Sequence, residues 1–508
     1  MARFFRFQFL LSILVIISAS CSKDFLDKNP LVDNVIDNFY KTGNDAILAV
    51  NAAYVPLQWE FNKTYFCEWM LGDVVSDDAL KGGNGLNDMT DLFQLENFKS
   101  SASNEILLEY YRAQYQGIYR CNLAIKYIPE IAPDSAMNYI LKSRLLGEVR
   151  FLRALYYFRL VRVFGGVPKV TTILDPSNYK QPRAERDTIY NLIYSDLIQG
   201  IPGLWEKSKY PSADLGRTTK GAAKTLLMKA YLYNGRFNDA KIYGDSVIQS
   251  GEYSLENSYL QNFSLAGENG KESVFEIQYM EDPTSDYGDG NGFTRGTFNI
   301  IMQRTRVGSA GWGFNRPTTD LFNEFEAGDP RRDATILPPD ADLYLGNGYH
   351  SNKYCLSGYT LAHPTRGPLN FKVMRYSDLL LMYAEAACEV NDLTSAKSAL
   401  EQVRSRARAG NNAILPVFPY GSYADNQNDL RKAIRHERRV ELAMEGHRFF
   451  DLVRWGVAAT VLNNYMANES SLVKDQMLPF VAGKHELFPI PEVEINLSQG
   501  ILTQNPNY

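Results

Sequence analysis

The chain lacks the motifs on which most catalytic and metal sites depend. Its five cysteines form no C-x-x-C pair, so neither a zinc knuckle nor a thioredoxin-type redox site is supported. There is no H-E-x-x-H, no G-x-S-x-G and no Walker loop, so the common hydrolase and nucleotide-binding signatures are missing too. The net charge is −5, which argues against a basic field that would hold a nucleic-acid backbone.

Long hydrophobic runs are also missing beyond the N-terminus. Residues 7–17 are apolar, follow Arg3 and Arg6, and are too few to span a bilayer, so they predict a secretion signal. The small residues 18–20 then lead to Cys21 and a polar segment. One interpretation is an ordinary cleaved signal with an incidental cysteine. The other, which the polar tether favours, is a lipoprotein signal resembling a bacterial lipobox, with residues 1–20 removed and Cys21 acylated.

Helical patterns fill residues 44–250. Two long amphipathic runs occur there, and the second ends at Gly165-Gly166, a helix stop signal. Residues 222–248 predict two short helices around the turn Asn234-Gly235, with the spacing of a tetratricopeptide hairpin. Residues 379–403 repeat this pattern. We therefore predict a mostly α fold, built on a tetratricopeptide-like helical-hairpin scaffold in an α/α superhelix.

Residues 251–370 have a different composition. They contain 15 of the 36 glycines, short β-like pieces such as SVFEIQY, and long loops that carry aromatic residues. Loops of this length inside a helical protein are usually functional or disordered, and the aromatic content argues against disorder. The alternative is that the rings only pack the loops onto the helices. We predict an irregular ligand-binding region with short β-strands.

The densest charged stretch is residues 431–456. Three glutamates at intervals of four share one helix face, and three arginines lie within one turn of them: Glu437, Glu441, Glu445, Arg438, Arg439 and Arg448. These charges are typical either of a clamp for a polyanionic ligand or of an ion-pair network between helices. The interleaved apolar residues favour the network, because they would bury the helix.

Two acidic motifs provide weak alternatives for catalysis or metal binding. Asp77 and Asp78 are adjacent, and adjacent residues of an extended chain point to opposite sides, so they do not flank one glycosidic bond. Residues 286–292 place oxygen ligands in a Gly-rich loop but lack the bidentate glutamate of an EF-hand. We predict no enzyme and no cofactor, with a structural calcium ion at 286–292 as an unsupported alternative.

Several blocks of the chain resemble the SusD/RagB family of outer-membrane nutrient-uptake lipoproteins. In chain order they are RFLRALYYFRLVRVFGGVP, RYSDLLLMYAEA, ERRVELAMEGHRFFDLVRWG, HELFPIPEVEINLS and LTQNPNY. The resemblance implies a scaffold of four tetratricopeptide-like hairpins that supports an irregular ligand-binding region. It divides the chain into a lipidated tether (21–43), an N-terminal helical region (44–250), the irregular region (251–370) and a C-terminal helical region (371–508).

The resemblance also implies a function without catalysis. Members of the family capture a glycan, or sometimes a peptide, as a lid on a SusC-like TonB-dependent β-barrel transporter. We therefore expect a lipid anchor in the outer membrane, with the protein facing the cell exterior and binding no nucleic acid. A peptide ligand in the same role, or a tetratricopeptide-type adaptor that binds only protein, are the alternatives.

Candidate ligand residues follow from the family's early loops and irregular middle region. Flat rings give a sugar apolar CH contacts, and polar side chains bond its hydroxyls. The candidates are Trp59, Trp69, Asp77, Asp78, Lys81, Asn84, Tyr287 and Trp312.

Overall fold

The computed structural model describes residues 39–58, 67–281, 296–308 and 310–508. These residues form a mostly α-helical protein with three small two-stranded sheets, which confirms the predicted fold class. The predicted signal peptide and Cys21, Trp59, Tyr287 and the acidic loop 286–292 lie outside the described residues.

Many helices of the described chain begin at a side-chain cap, such as Asn104, whose side chain accepts a hydrogen bond from the Leu107 N–H at 3.2 Å. In chain order the α-helices are α1 (Gly43–Tyr54), α2 (Trp69–Gly72), α3 (Thr90–Glu96), α4 (Glu105–Tyr127), α5 (Tyr139–Phe164), α6 (Arg186–Gly200), α7 (Lys220–Tyr233), α8 (Phe237–Ile248), α9 (Asn299–Gln303), α10 (Thr319–Glu324), α11 (Pro330–Thr335), α12 (Tyr376–Glu389), α13 (Leu393–Arg408), α14 (Gln427–Glu441), α15 (Arg448–Arg454), α16 (Ala458–Asn468), α17 (Ser471–Lys474) and α18 (Glu492–Leu497).

Both predicted helical hairpins are present. Helices α7 and α8 pack together across the turn at Asn234, and α12 and α13 pack together across a turn at Asn391. Helix α8 also packs on α12, which makes the two hairpins neighbours although about 130 residues separate them. The small side chain of Ala240 is fully buried, which allows the close helix approach that the sequence indicates.

The described strands are short, and two of their three pairs join segments that are far apart in sequence. They are β1 (Ala79–Gly82), β2 (Ser273–Ile277), β3 (Phe314–Pro317), β4 (Ile336–Leu337), β5 (His350–Ser351) and β6 (Phe371–Arg375). Three antiparallel pairs form: β1 with β3, β2 with β6, and β4 with β5. Strand β2 confirms the β-like piece SVFEIQY, whereas the pairing of β1 with β3 has no counterpart in the sequence analysis.

A buried ion-pair network joins the irregular region to the C-terminal helices. Arg375, at the end of β6, bonds Glu272 at 2.9 Å and Glu445 at 2.8 Å. Arg331 bonds Glu441 at 2.9 Å, and all of these side chains are less than 2% exposed. The interpretation of the charged stretch 431–456 as an ion-pair network is therefore confirmed, because its glutamates pair with buried arginines from other parts of the chain.

Candidate ligand-binding site

The pairing of β1 with β3 brings together two predicted ligand segments that lie more than 200 residues apart. Gly82 is opposite Phe314, and Leu80 is opposite Arg316. The loop after β1, which contains Asn84, therefore lies beside the residue pair that precedes β3, Trp312 and Gly313. Asn84 is exposed and Trp312 is half-buried, so both side chains are accessible to a ligand. Their contacts with a ligand stay predictions.

Gly313 connects this loop to the next part of the site. Its carbonyl accepts a hydrogen bond from the Gly83 N–H at 2.8 Å, and its N–H donates to the Arg304 carbonyl at 2.9 Å. The Trp312 N–H donates to the Ile301 carbonyl at 2.8 Å. The segment around Trp312 is thus fixed between the β1 loop and the chain that leaves α9.

A cavity of about 540 Å³ opens on the other side of this segment. This volume lies within the range of small-molecule sites, and the wall mixes apolar and hydroxyl-bearing side chains as such sites do. The cavity is lined by Ile301, Arg304, Thr305, Gly308, Ala310, Leu337, Cys355, Ser357, Gly358, Tyr359, Thr360, Leu361 and Pro364. Trp312 does not line the wall; its backbone N–H is bonded to the carbonyl of Ile301, which does, and its ring packs near Phe298, with 6.2 Å between the ring centroids.

Tyr359 is an aromatic ring in the cavity wall. Its hydroxyl donates to Glu281 at 2.8 Å, which raises the pKa of the phenol. Glu281 also accepts from the Ala362 N–H at 2.7 Å, so one carboxylate orients both the ring and its loop. Tyr359 is not among the sequence-predicted ligand residues. In the sequence it is a single aromatic residue in the Gly/Pro-containing stretch SGYTLAHP. Many structural tyrosines occur in loops of this kind, so the pattern does not mark a ligand contact.

Arg304 shapes the loop that carries Tyr359. Its guanidinium donates to three backbone carbonyls, those of Cys355 at 2.6 Å, Leu356 at 2.8 Å and Tyr359 at 2.8 Å. Arg304 is also outside the sequence-based candidates. Its role depends on a bend of residues 355–359 around one side chain, and no local motif marks that bend.

The structure corrects the placement of Lys81 on the ligand surface. This side chain is fully buried, and its ammonium donates to the carbonyls of Gly82 at 2.8 Å, Gly85 at 3.0 Å and Asp88 at 2.6 Å. Burial lowers the pKa of Lys81 below its usual value of 10.5, against the opposing effect of Glu96. Lys81 thus organises the β1 loop from the inside.

Asp77 and Asp78 are corrected in the same way. They are 2% and 1% exposed, so they offer no surface to a ligand. Arg448 bonds Asp77 at 2.8 Å through two nitrogens, and Arg439 bonds Asp78 at 2.8 Å. Burial alone would raise the pKa of Asp77, but the two arginines outweigh it and hold the pKa below its usual range. The pair ties the segment before β1 to the C-terminal helices.

Trp69 is the last of the described candidates, and it too belongs to the core. The ring is 1% exposed, and its indole N–H donates to Asn299 at 2.9 Å. A buried ring cannot stack on a sugar, so the expected platform at Trp69 is corrected. Its partner Asn299 begins α9, and Trp69 therefore supports the chain from which the cavity wall starts.

A second cavity, of about 320 Å³, lies between α1 and β2. Its polar groups are bonded mainly to each other. Asp214 pairs with Arg144 at 2.7 Å and with Arg217 at 3.0 Å, and Arg217 also donates to Asn51 at 2.7 Å. The larger cavity beside Trp312 is the better candidate, because it lies in the region that the sequence predicts to bind ligand.

The described residues offer neither a metal cluster nor a membrane-spanning helix. Within the described ranges, no group of three His, Cys, Asp or Glu side chains is placed to hold a metal ion. None of the described helices combines the length and the apolar character needed to cross a membrane.

Comparison with known proteins identifies similar chains along almost the whole length. Residues 342–508 match the model described as SusD family, and residues 24–232 match the model described as starch-binding associating with outer membrane. The SusD-like protein P2 of Formosa agariphila is 25% identical over 99% of this chain and 100% of that protein.

Solved structures agree with these matches. A laminarin-binding SusD-like protein is 30% identical, covers 92% of this chain and 100% of its own, and superposes with a TM-score of 0.78. The surface glycan-binding protein A of Bacteroides thetaiotaomicron, in complex with laminarihexaose, is 25% identical with the same coverages and a TM-score of 0.78.

Proposed function

This chain belongs to the SusD family, and from that premise we propose that it is a non-catalytic glycan-binding protein of the outer membrane that delivers its ligand to a SusC-like TonB-dependent transporter. Acylated Cys21 would anchor it, with the protein facing the cell exterior. Residues 251–370 would bind the ligand, and the helical regions 44–250 and 371–508 would hold that region in place.

The observation that carries the proposal is the cavity beside Trp312. Tyr359 supplies a ring in its wall, Trp312 a half-buried ring at its side, and Thr305, Ser357 and Thr360 supply hydroxyl groups. Rings that contact sugar CH groups and polar groups that bond hydroxyls are what an oligosaccharide requires. One similar protein of known structure is named as laminarin-binding, and a second, named as glycan-binding, was solved in complex with laminarihexaose, which supports a glycan over a peptide as ligand.

The charges around the cavity favour an uncharged glycan. Arg304 directs its donors at three backbone carbonyls, and Arg316 pairs with Asp342. Asp340 accepts from Thr305 at 2.6 Å and from His350 at 3.1 Å. Because Arg304 and Arg316 are already engaged with the protein, they are poorly placed to neutralise the carboxylates or sulfates of an acidic polysaccharide, and the carboxylates of Asp340 and Asp342 would repel those anionic groups.

The lack of catalysis is supported by the state of the paired carboxylates. A glycosidase needs two carboxyl groups on either side of a bound sugar, with one of them able to give up a proton. Asp77 and Asp78 are buried and paired with arginines, so they are unsuited to that role. Incubation with laminarihexaose should therefore leave the oligosaccharide intact, as chromatography would show.

The binding proposal is tested by calorimetry with laminarihexaose, a maltooligosaccharide and an unrelated peptide. We expect an oligosaccharide to bind, and Tyr359→Ala and Trp312→Ala each to weaken it about tenfold, the effect of losing about 1.4 kcal/mol of contact. Trp205→Ala is the matched control, because Trp205 is a half-buried tryptophan that packs on Arg144 in the helical region, with 4.4 Å from guanidinium carbon to ring centroid. Binding of the peptide alone would contradict the proposal, as would equal effects of all three substitutions.

A further inference from the structure

Two side chains near the candidate site have the same unusual bonding pattern. Lys81 and Arg304 each donate to three backbone carbonyls of one short segment, residues 82–88 and residues 355–359 respectively. In each case a side-chain cation occupies the centre of a bend and satisfies carbonyls that the bend turns inward.

The environment of Lys81 fixes its ammonium in this position. Phe314 and Tyr344 lie around it, with ring centroids 5.6 Å and 5.0 Å from the nitrogen. Glu96 accepts from the Lys81 backbone N–H at 2.8 Å, which holds the start of the side chain. Without the ammonium, the three carbonyls of the loop would lose their common partner.

Arg304 has a corresponding role on the cavity side. Its backbone carbonyl accepts from the Gly313 N–H at 2.9 Å, while its guanidinium reaches the loop that carries Tyr359. Gly313 in turn accepts from the Gly83 N–H at 2.8 Å. The two cation-centred loops are therefore joined through the residue next to Trp312.

On the premise of the proposed glycan-binding function, we propose that Lys81 and Arg304 are positioning residues that preshape the loops on either side of Trp312 for ligand binding. Neither side chain needs to touch the glycan. Each acts by holding its loop in the bound shape before the ligand arrives, so that less conformational entropy is lost on binding.

The first test compares Lys81→Met and Arg304→Met with Arg183→Met. Arg183 is a matched control, because it also donates to several carbonyls, those of Gly166, Thr503 and Gln504 among them, but lies away from the cavity. We expect the first two variants to bind laminarihexaose about tenfold more weakly and to exchange the amides of their own loop faster by hydrogen exchange. Arg304→Lys keeps a charge and three donors, and should restore part of the affinity.

The second test uses the unmodified protein, so it does not depend on how well a variant folds. Raising the pH from about 7.5 to about 10 removes a proton from Lys81, whose pKa burial lowers, and with it one donor to the loop. We expect laminarihexaose affinity to fall and the protection of residues 82–88, measured against the intrinsic exchange rate at each pH, to fall with it. In Lys81→Met the affinity and this protection should be independent of pH over this range.

Other titratable groups face Lys81 and must be separated from it. They are Glu96, Asp88 and Tyr344, and burial raises the pKa of Glu96 and of Tyr344. Glu96→Gln should keep the loss of affinity but shift it to lower pH, because the charge of Glu96 raises the pKa of Lys81. Because the folded protein lowers the pKa of Lys81, its deprotonation raises rather than lowers global stability, so a loss of affinity would report on the loop.

Each result decides between the proposals. If the unmodified protein binds laminarihexaose and the Lys81 and Arg304 variants bind equally well, the positioning role is overturned and the proposed function stands. A flat pH profile in the unmodified protein overturns the role of Lys81. If the unmodified protein binds no oligosaccharide at all, the proposed function fails, and the positioning role fails with it.

Discussion

Arg375 pairs with carboxylates from distant parts of the chain. Glu272 precedes β2, Glu441 ends α14 and Glu445 follows it, and all three carboxylates are within hydrogen-bond distance of the guanidinium. Burial alone would raise the pKa of Glu441, but Arg406, Arg375 and Arg331 outweigh it and hold the pKa below the usual 4.5. A carboxyl group whose pKa is lower in the folded than in the unfolded state stabilises the fold at pH values above its unfolded-state pKa. That contribution is lost as the pH falls through the folded-state pKa.

Arg375→Met should therefore destabilise the protein by about 3–5 kcal/mol, because it leaves buried carboxylates without their shared cation. It should also move the midpoint of acid unfolding to higher pH, since the pKa values of those carboxylates rise. Urea unfolding at neutral pH and an acid titration followed by circular dichroism measure the two effects.

Arg112→Met is the matched control for this prediction. Arg112 pairs with Glu494 at 2.7 Å, but the arginine side chain is 42% exposed, so its loss should cost less than about 1 kcal/mol. Equal losses for Arg375 and Arg112, or an unchanged acid midpoint for Arg375→Met, would show that the buried network does not act as described.

The sheet formed by β1 and β3 is the element that assembles the candidate site. At its end Gly82 has φ of +77°, and a Cβ added there would lie 2.1 Å from the Gly313 carbonyl oxygen. Gly82→Ala should therefore cost about 2–4 kcal/mol, through a strained backbone and a displaced β3. Glycan affinity should fall with it, because the displacement moves Trp312.

Gly235→Ala separates backbone strain from the contact with β3. Gly235 has a similar φ of +71°, but a Cβ added there would meet nothing within 4 Å. Its substitution should cost only the strain, about 1–2 kcal/mol, and leave glycan affinity unchanged. If urea unfolding gives the same loss for both glycines, the close approach of β1 to β3 is not what makes Gly82 necessary.

The same elements show how far the sequence predicts this fold. The hairpins at 222–248 and 379–403 are local, so periodicity and an Asn-containing turn were enough to predict them. The ion-pair network was predictable in part, because spacing of four places Glu437 and Glu441 on one face of α14. The helix ends at Glu441, so the prediction that Glu445 shares that face is wrong, and Glu445 joins the network from the segment that follows. The segment of β1, ALKG, carries no strand pattern of its own and gains its partner only in the folded chain.

The candidate cavity lies within residues 251–370, and the ligand-binding role of that region stays a prediction. Asn84 is exposed and Trp312 is half-buried, but most residues of the cavity wall are not among the sequence-predicted candidates. Lys81, Asp77 and Trp69 are candidates because the family resemblance implies ligand contacts from early segments of the chain. In the structure each is buried by a partner distant in sequence, such as Arg448 for Asp77, and single-sequence patterns do not reveal such partners.

At the scale of the whole molecule, the proposed function requires the protein to remain at the membrane while its loops take up a glycan. Attachment is assigned to Cys21, which precedes the described residues. A single acyl chain gives only marginal binding, at about 0.8 kcal/mol per buried CH₂, so stable anchoring needs several chains on that one residue. The proposed tether, residues 21–43, would then connect the anchor to the helical region 44–250.

Cys21→Ser should therefore move the protein from the membrane fraction to the soluble fraction of an exporting host, without changing the affinity of the purified protein for laminarihexaose. Cys121→Ser is the matched control, because the Cys121 thiol is fully buried in the core and should not affect partitioning. Fractionation followed by immunoblotting measures the partitioning, and growth on the glycan measures delivery. If Cys21→Ser abolishes growth on the glycan but keeps its affinity for laminarihexaose, the anchor is needed for delivery. If Cys21→Ser stays in the membrane fraction, another part of the chain, or a partner, holds the protein there.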